Sequence, residues 1–150
     1  MSGSYLGVDP TQVTGASDTP EFALGTVVED KFGNRFVYCR ANGAVAVDFP
    51  VAIDINWDIV DGAGVLADGV SMAALADNEY GWVQISGKHA NANVKDALTA
   101  GMILAYLADG NGDLLEISAT SATTGAHNAR GKLLENVAAG VADVLLFPWL

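Results

Sequence analysis

Short β-branched or aromatic runs recur about every 8 to 12 residues along this chain, and turn residues close each of them. No segment keeps an apolar period of 3.6 for long enough to supply the helices of an α/β fold, although residues 126–139 have room for one short helix. That punctuation points to an all-β architecture, a small barrel or sandwich. At 150 residues the chain is one domain's worth of sequence. Its 51% apolar residues suffice for a packed core, and 17 glycines against four prolines suit strands joined by tight turns.

Along the chain, residues 1–22 stand apart from the β-rich domain expected over 23–150. Gly3, Gly7, Gly15, Pro10 and Pro20 interrupt any apolar period, so this part reads as an extended arm. Leu24–Glu29 and Arg35–Arg40 form a hairpin around Asp30-Lys-Phe-Gly-Asn34, where glycine and asparagine tolerate positive φ. Asn42-Gly43 predicts a second tight turn into a strand over Ala44–Asp48, ended by Phe49-Pro50. Val51–Ile55 alternates like a half-buried strand, and Trp57–Val60 follows it. Val70–Ala76 is ambiguous between strand and helix. Trp82–Ser86 is a clean alternating strand ended by Gly87, with a weaker strand over Asn91–Asp96. Leu98–Gly101 reads as a corner. Met102–Tyr106 pairs with Leu114–Ile117 across Asp109-Gly-Asn-Gly-Asp113, residues 118–130 form a loop, and Lys132–Val137 and Val141–Leu146 complete the chain. No repeat of fixed period is visible.

Seven Lys and Arg against 18 Asp and Glu leave a net charge of −11. So acidic a surface repels phosphate backbones and anionic membranes, which disfavours nucleic acid and membrane as partners. It suits a protein that must not self-aggregate, or one that docks on a basic patch. Apolar runs such as Val144–Trp149 are too short to span a bilayer, and the N-terminus lacks the pattern of a signal peptide. A soluble protein made in the cytoplasm is expected. Cys39 is the single cysteine, which excludes an internal disulfide; within a strand it reads as a small buried residue.

No constellation for catalysis assembles. His89 and His127 are the only histidines, without metal-ligand spacing, and neither a nucleophile elbow nor a phosphate-binding glycine loop is present. Asp109, Asn111 and Asp113 match the start of a calcium loop, but Leu114 and Thr120 occupy its glycine and glutamate positions, so a plain turn is the better reading. Asp54, Asp58 and Asp61 read as a solvated face; a hydrolase using Asp54 or Asp58 is the weakest alternative. No enzyme, cofactor or metal is expected. The aromatic residues read mostly as core. Trp149 is the exception, because a chain end carrying Phe147-Pro-Trp149 is costly to leave in water, at roughly 1.5–3 kcal/mol per large side chain. Tyr5, Leu6 and Val8 in the arm, with Phe147 and Trp149 at the other end, are therefore the candidate partner-binding residues.

The segment Phe22-Ala-Leu-Gly-Thr-Val-Val-Glu-Asp-Lys-Phe-Gly-Asn-Arg-Phe-Val-Tyr38 resembles the opening of the head decoration (cement) proteins of tailed bacteriophages. Ala41–Ala44 follows as the small-residue segment of that family. Ala76-Asp-Asn-Glu-Tyr-Gly-Trp-Val-Gln-Ile-Ser-Gly87 is similar to its middle strand, and Val141-Ala-Asp-Val-Leu-Leu-Phe147 to its last. The resemblance spans about residues 22–149. It implies a β-tulip-like fold on the outside of the mature capsid in the virion, commonly a homotrimer, bridging neighbouring major capsid protein subunits and stabilising the shell. The alternative from another class is a carbohydrate- or receptor-binding module of a phage fibre or surface structure, with Trp57 and Trp82 as a sugar platform.

Overall fold

The structure, a computed structural model, describes residues 8–61, 67–94, 100–101, 103–106, 114–116, 131–137 and 140–147. Its elements are ten strands: β1 (Val27–Glu29), β2 (Arg35–Ala41), β3 (Pro50–Ile53), β4 (Asp58–Asp61), β5 (Gly69–Ser71), β6 (Tyr80–Asn93), β7 (Ile103–Tyr106), β8 (Leu114–Glu116), β9 (Gly131–Leu133) and β10 (Val141–Leu146). The fold is all-β, as the turn spacing predicts, and no helix occurs among the described residues. The strands join in the order β1-β2-β4-β3-β5-β6-β10-β9-β7-β8, with an additional β2–β6 pairing. The pairings β2–β4–β3–β5–β6–β2 thus return on themselves, while β10, β9, β7 and β8 continue outward as an open sheet.

One antiparallel ladder organises the ring. Val37 lies opposite Val83, Arg40 opposite Tyr80, Val45 opposite Leu75, and Pro50 opposite Val70. Residues 36–51 therefore run along residues 84–69 in constant register, and a local two-fold axis passes beside Val45 and Leu75. The hydrogen bonds repeat across that axis. Ala41 N donates to Glu79 O as Ser71 N does to Phe49 O, and Asn78 N donates to Ala41 O as Asp48 N does to Ser71 O. Asp48 and Asn78 occupy equivalent positions with φ of 61° and 65°. The short-polar side chains of Asp and Asn tolerate that left-handed conformation better than other residues.

The structure departs from the sequence pattern at several points. Asn42-Gly43 does not turn the chain into a hairpin; it opens a crossing loop whose partner is residues 71–79. A repeat at an offset of 30 residues exists in the backbone although the sequence hides it. Across 41–50 and 71–80, only Ala44/Ala74 and Ala46/Ala76 are identical. The strand expected over Val51–Ile55 stops at Ile53, because Asp54 closes a turn by accepting the amides of Asn56 and Asp58 at 2.7 and 3.0 Å. Ile55 stands at the tip of that turn, 93% exposed.

β2 and β6 carry apolar residues on both faces, which decides where the core sits. Val37, Cys39 and Ala41 point into the ring with Val83 and Ile85, where they meet Val45, Val51, Ile59 and Leu75. Phe36, Tyr38 and Trp82 point outward and pack with Val8 into a second cluster. A third cluster, including Val70, Ala92, Val144 and Leu146, joins the ring to β10. Arg40 fastens β2 to β4 with a two-pronged bond to Asp58, Nε to Oδ1 at 2.8 Å and Nη2 to Oδ2 at 2.7 Å.

Gly87 bends β6 rather than ending it. The strand continues to Asn93, pairing first with β2 and then with β10. Gly87 has φ of 95°, and a Cβ there would collide with Asn34. Asn34 sits so close because it anchors the β1–β2 turn: its Oδ1 accepts the Lys88 amide at 2.9 Å, and its Nδ2 donates to Asp30.

A Gly87→Ala variant should lose about 1–3 kcal/mol in urea unfolding from backbone strain, plus the cost of displacing Asn34. Cys39 is fully enclosed, and burial, reinforced by Asp58 and Asp54, pushes its thiol far above the ordinary range. A thiol reagent should therefore leave the native protein unlabelled at pH 8 and label it stoichiometrically in denaturant.

Candidate interaction surfaces

Residues 8–22 lie on their own chain. Thr14 exchanges backbone hydrogen bonds with Tyr80, both at 2.9 Å, and its Oγ1 lies 3.0 Å from the Tyr38 hydroxyl. Phe22 packs edge-on against Tyr38 and Trp82, with ring centroids 5.4 and 5.2 Å apart. Such pairs contribute about 0.5–1.5 kcal/mol each beyond the area they bury. Val8 is buried in the same cluster, which places it inside this fold. Tyr5 and Leu6 fall outside the described residues. At the other end, Phe147 is half-buried and lines a crevice with Ala67, Val70 and Ile85. Trp149 lies outside the described residues, as do the candidate calcium turn at 109–113 and His127.

The sugar-platform arrangement is corrected by burial. Trp82 is sealed in the core, with no face available to a sugar ring. Trp57 is half-buried and lies over Gly25, so closely that a Cβ there would meet its indole at 2.5 Å. The carboxylates considered for hydrolysis are engaged in structure. Asp58 holds Arg40, and Asp54 caps its own turn. Among the described residues no three His, Cys, Asp or Glu side chains gather to hold a metal.

His89, expected as a surface histidine, is instead buried in β6. Its Nδ1 lies 2.8 Å from Gln84 Oε1 and its Nε2 3.0 Å from Asp48 Oδ1. Gln84 turns its amide nitrogen to the carbonyl oxygens of Ser86 and Lys88, so its oxygen is left for the imidazole. The ring thereby fastens the crossing loop, through Asp48, to the far half of β6. Sequence reading missed this because the partners lie 41 residues apart. Beside it, Lys88 Nζ meets Asp143 Oδ2 at 2.6 Å and ties β6 to β10.

The local two-fold axis emerges in an open apolar depression of the surface. Val45 and Leu75 exchange amide–carbonyl hydrogen bonds at 2.8 and 2.9 Å and turn their side chains inward. Ala44, Ala46, Ala74 and Ala76 consequently face outward. With Phe49 these residues line an open depression of about 680 Å³. Asp48, Asp77 and Glu79 stand on the same loops, and the loops, 41–50 and 71–80, carry no Lys or Arg.

Among solved structures, the fold is similar to the N base of head fiber gp8.5 in bacteriophage phi29. The TM-score is 0.53 at 13% identity, over 75% of this chain and 92% of that one. At that identity the likeness is one of fold. No protein-family model matches the chain, and no curated protein matches it by sequence.

The Lys88–Asp143 pair yields a pH prediction. The hydrogen bond from Lys88, with further help from the Asn91 amide, holds the Asp143 carboxyl below its usual range. A depressed folded-state value means stability that is present above the unfolded carboxyl's titration and lost as pH falls through the folded one. Acid unfolding of the wild type should therefore show this extra loss at the low-pH limb, and Asp143→Asn should flatten that limb by lowering stability modestly at neutral pH and converging with the wild type in acid.

Proposed function

We propose that this chain is a structural protein of a tailed-bacteriophage head: a decoration protein that binds the outer surface of the mature capsid and bridges major capsid protein subunits. The observation that carries this reading is the shared fold with the N base of a phage head fiber, which this chain matches over nearly the whole of that base. The resemblance of Phe22–Tyr38, Ala76–Gly87 and Val141–Phe147 to head decoration proteins points the same way, and it rests on the residues rather than on the fold. A net charge of −11 favours a protein partner over nucleic acid or an anionic membrane.

The physics of such a role requires no catalytic step. A protein that binds the expanded shell better than the precursor stabilises the shell by that difference in affinity. Engagement of several shell subunits by one oligomer multiplies a modest contact through effective concentration. We assign a homotrimer as the assembling unit, consistent with the family resemblance. No cofactor is assigned.

Purified protein added to heads that lack it should co-sediment with them and raise the temperature at which packaged DNA escapes. Sedimentation equilibrium of the free protein should give three times the 15.5 kDa chain mass. Heads that release DNA at the same temperature with and without bound protein would remove the stabilising role, and absence of co-sedimentation would remove the head-binding reading altogether.

A further inference from the structure

We propose that the depression on the local two-fold axis is a docking groove for an extended segment of a partner protein, one with small or medium apolar side chains flanked by Lys or Arg. The groove and the strand edges beside it supply shape, open backbone and charge. Its floor is the Val45–Leu75 bridge, whose apolar side chains are spent in the core, so the outward alanines leave a shallow channel that large side chains do not fill. An antiparallel pair in which residues 45 and 75 exchange both hydrogen bonds directs the amide and carbonyl groups of the flanking residues to the outer edges. The amides and carbonyls of Ala44, Ala46 and Ala74 accordingly have no hydrogen-bond partner among the described residues. A strand edge of that kind accepts an extended segment by main-chain hydrogen bonds, with side-chain pockets giving selectivity.

Charge complementarity decides the occupant. The loops forming the groove contribute Asp48, Asp77 and Glu79 and no cation. Asp77 and Glu79 accept backbone amides, from Gly43 and Ala76 respectively at 2.8 Å, and neither meets a cation among the described residues. A second copy of this chain would bring its own excess of acids to that rim, at −11 per chain, and be repelled. A basic-flanked segment would be attracted and held in register. The inference holds whichever protein supplies the segment, so its failure and that of the head-binding reading are separable.

The test titrates the full-length protein with a capped seven-residue peptide of alternating valine and alanine between terminal lysines, alongside the same peptide with terminal glutamates. Backbone amide shifts in the nitrogen–proton NMR spectrum report the site. Saturable shifts should concentrate at residues 44–46 and 74–76, with the glutamate peptide binding at least tenfold more weakly. Ala46→Lys, which places bulk and a cation on the exposed floor, should abolish the shifts while the β6 resonances keep their dispersion. If that variant unfolds, a rise in salt from 20 to 500 mM should still weaken the lysine peptide at least threefold on the wild type. Equal affinity for both peptides, or shifts spread away from the groove, would overturn the proposal. Shifts at 44–46 and 74–76 that appear on concentrating the protein alone would overturn it in favour of self-association.

Discussion

The ladder between residues 36–51 and 69–84 is the constraint from which the other parts follow. Because both segments belong to it over their whole length, each crosses from one side of the ring to the other and contributes to two strand pairs, β2–β6 and β3–β5. Slipping β2 by one residue against β6 would turn Val37 and Cys39 out of the ring and bring Phe36 and Tyr38 in. These aromatics fit outside the ring and not within it, where Cys39, Ala41 and several valines set the space. Register is thus fixed by side-chain volume on two faces at once.

That two-faced burial also explains the N-terminal segment. Tyr38 and Trp82 need cover on their outer face, and Thr14 and Phe22 provide it, the first by pairing with Tyr80 and the second by edge-on ring contacts. A segment rich in turn residues is suited to this. It follows the contour of an aromatic surface and pairs with β6 at Thr14. The arm therefore completes the fold from Val8 onward.

The parts of the fold governed by neighbouring residues were legible in the sequence. The β1–β2 hairpin and the β7–β8 pair follow from the composition of their turns and strands, and Cys39 reads correctly as buried because β2 is apolar on both sides. What was hidden depends on contacts distant in sequence. Gly87 carries the same signal whether it ends a strand or lets Asn34 approach, and only the 54-residue contact from Lys88 to Asn34 distinguishes the two. His89 looked like a surface residue among small polar neighbours because its acceptor on Asp48 comes from another loop. The repeat leaves little trace in the sequence because backbone pairing, not side-chain identity, maintains it. Of the candidate partner-binding residues, Val8 lies inside the fold and Phe147 is half-buried, while the groove at Ala44 and Ala74 had no sequence signal beyond a run of small residues.

A two-fold ladder cannot easily bury its own centre. At the crossing, the inward positions go to Val45 and Leu75, and the pleat then forces Ala44, Ala46, Ala74 and Ala76 outward. Larger apolar residues there would enlarge an exposed sticky patch. Alanine is the compromise, and the acids next to it decide what the compromise tolerates. The same carboxylates that keep two copies of this chain apart at that face leave it open to a basic partner. Any assembly of the chain with itself must then form on other surfaces, where apolar contact outweighs a shared negative field.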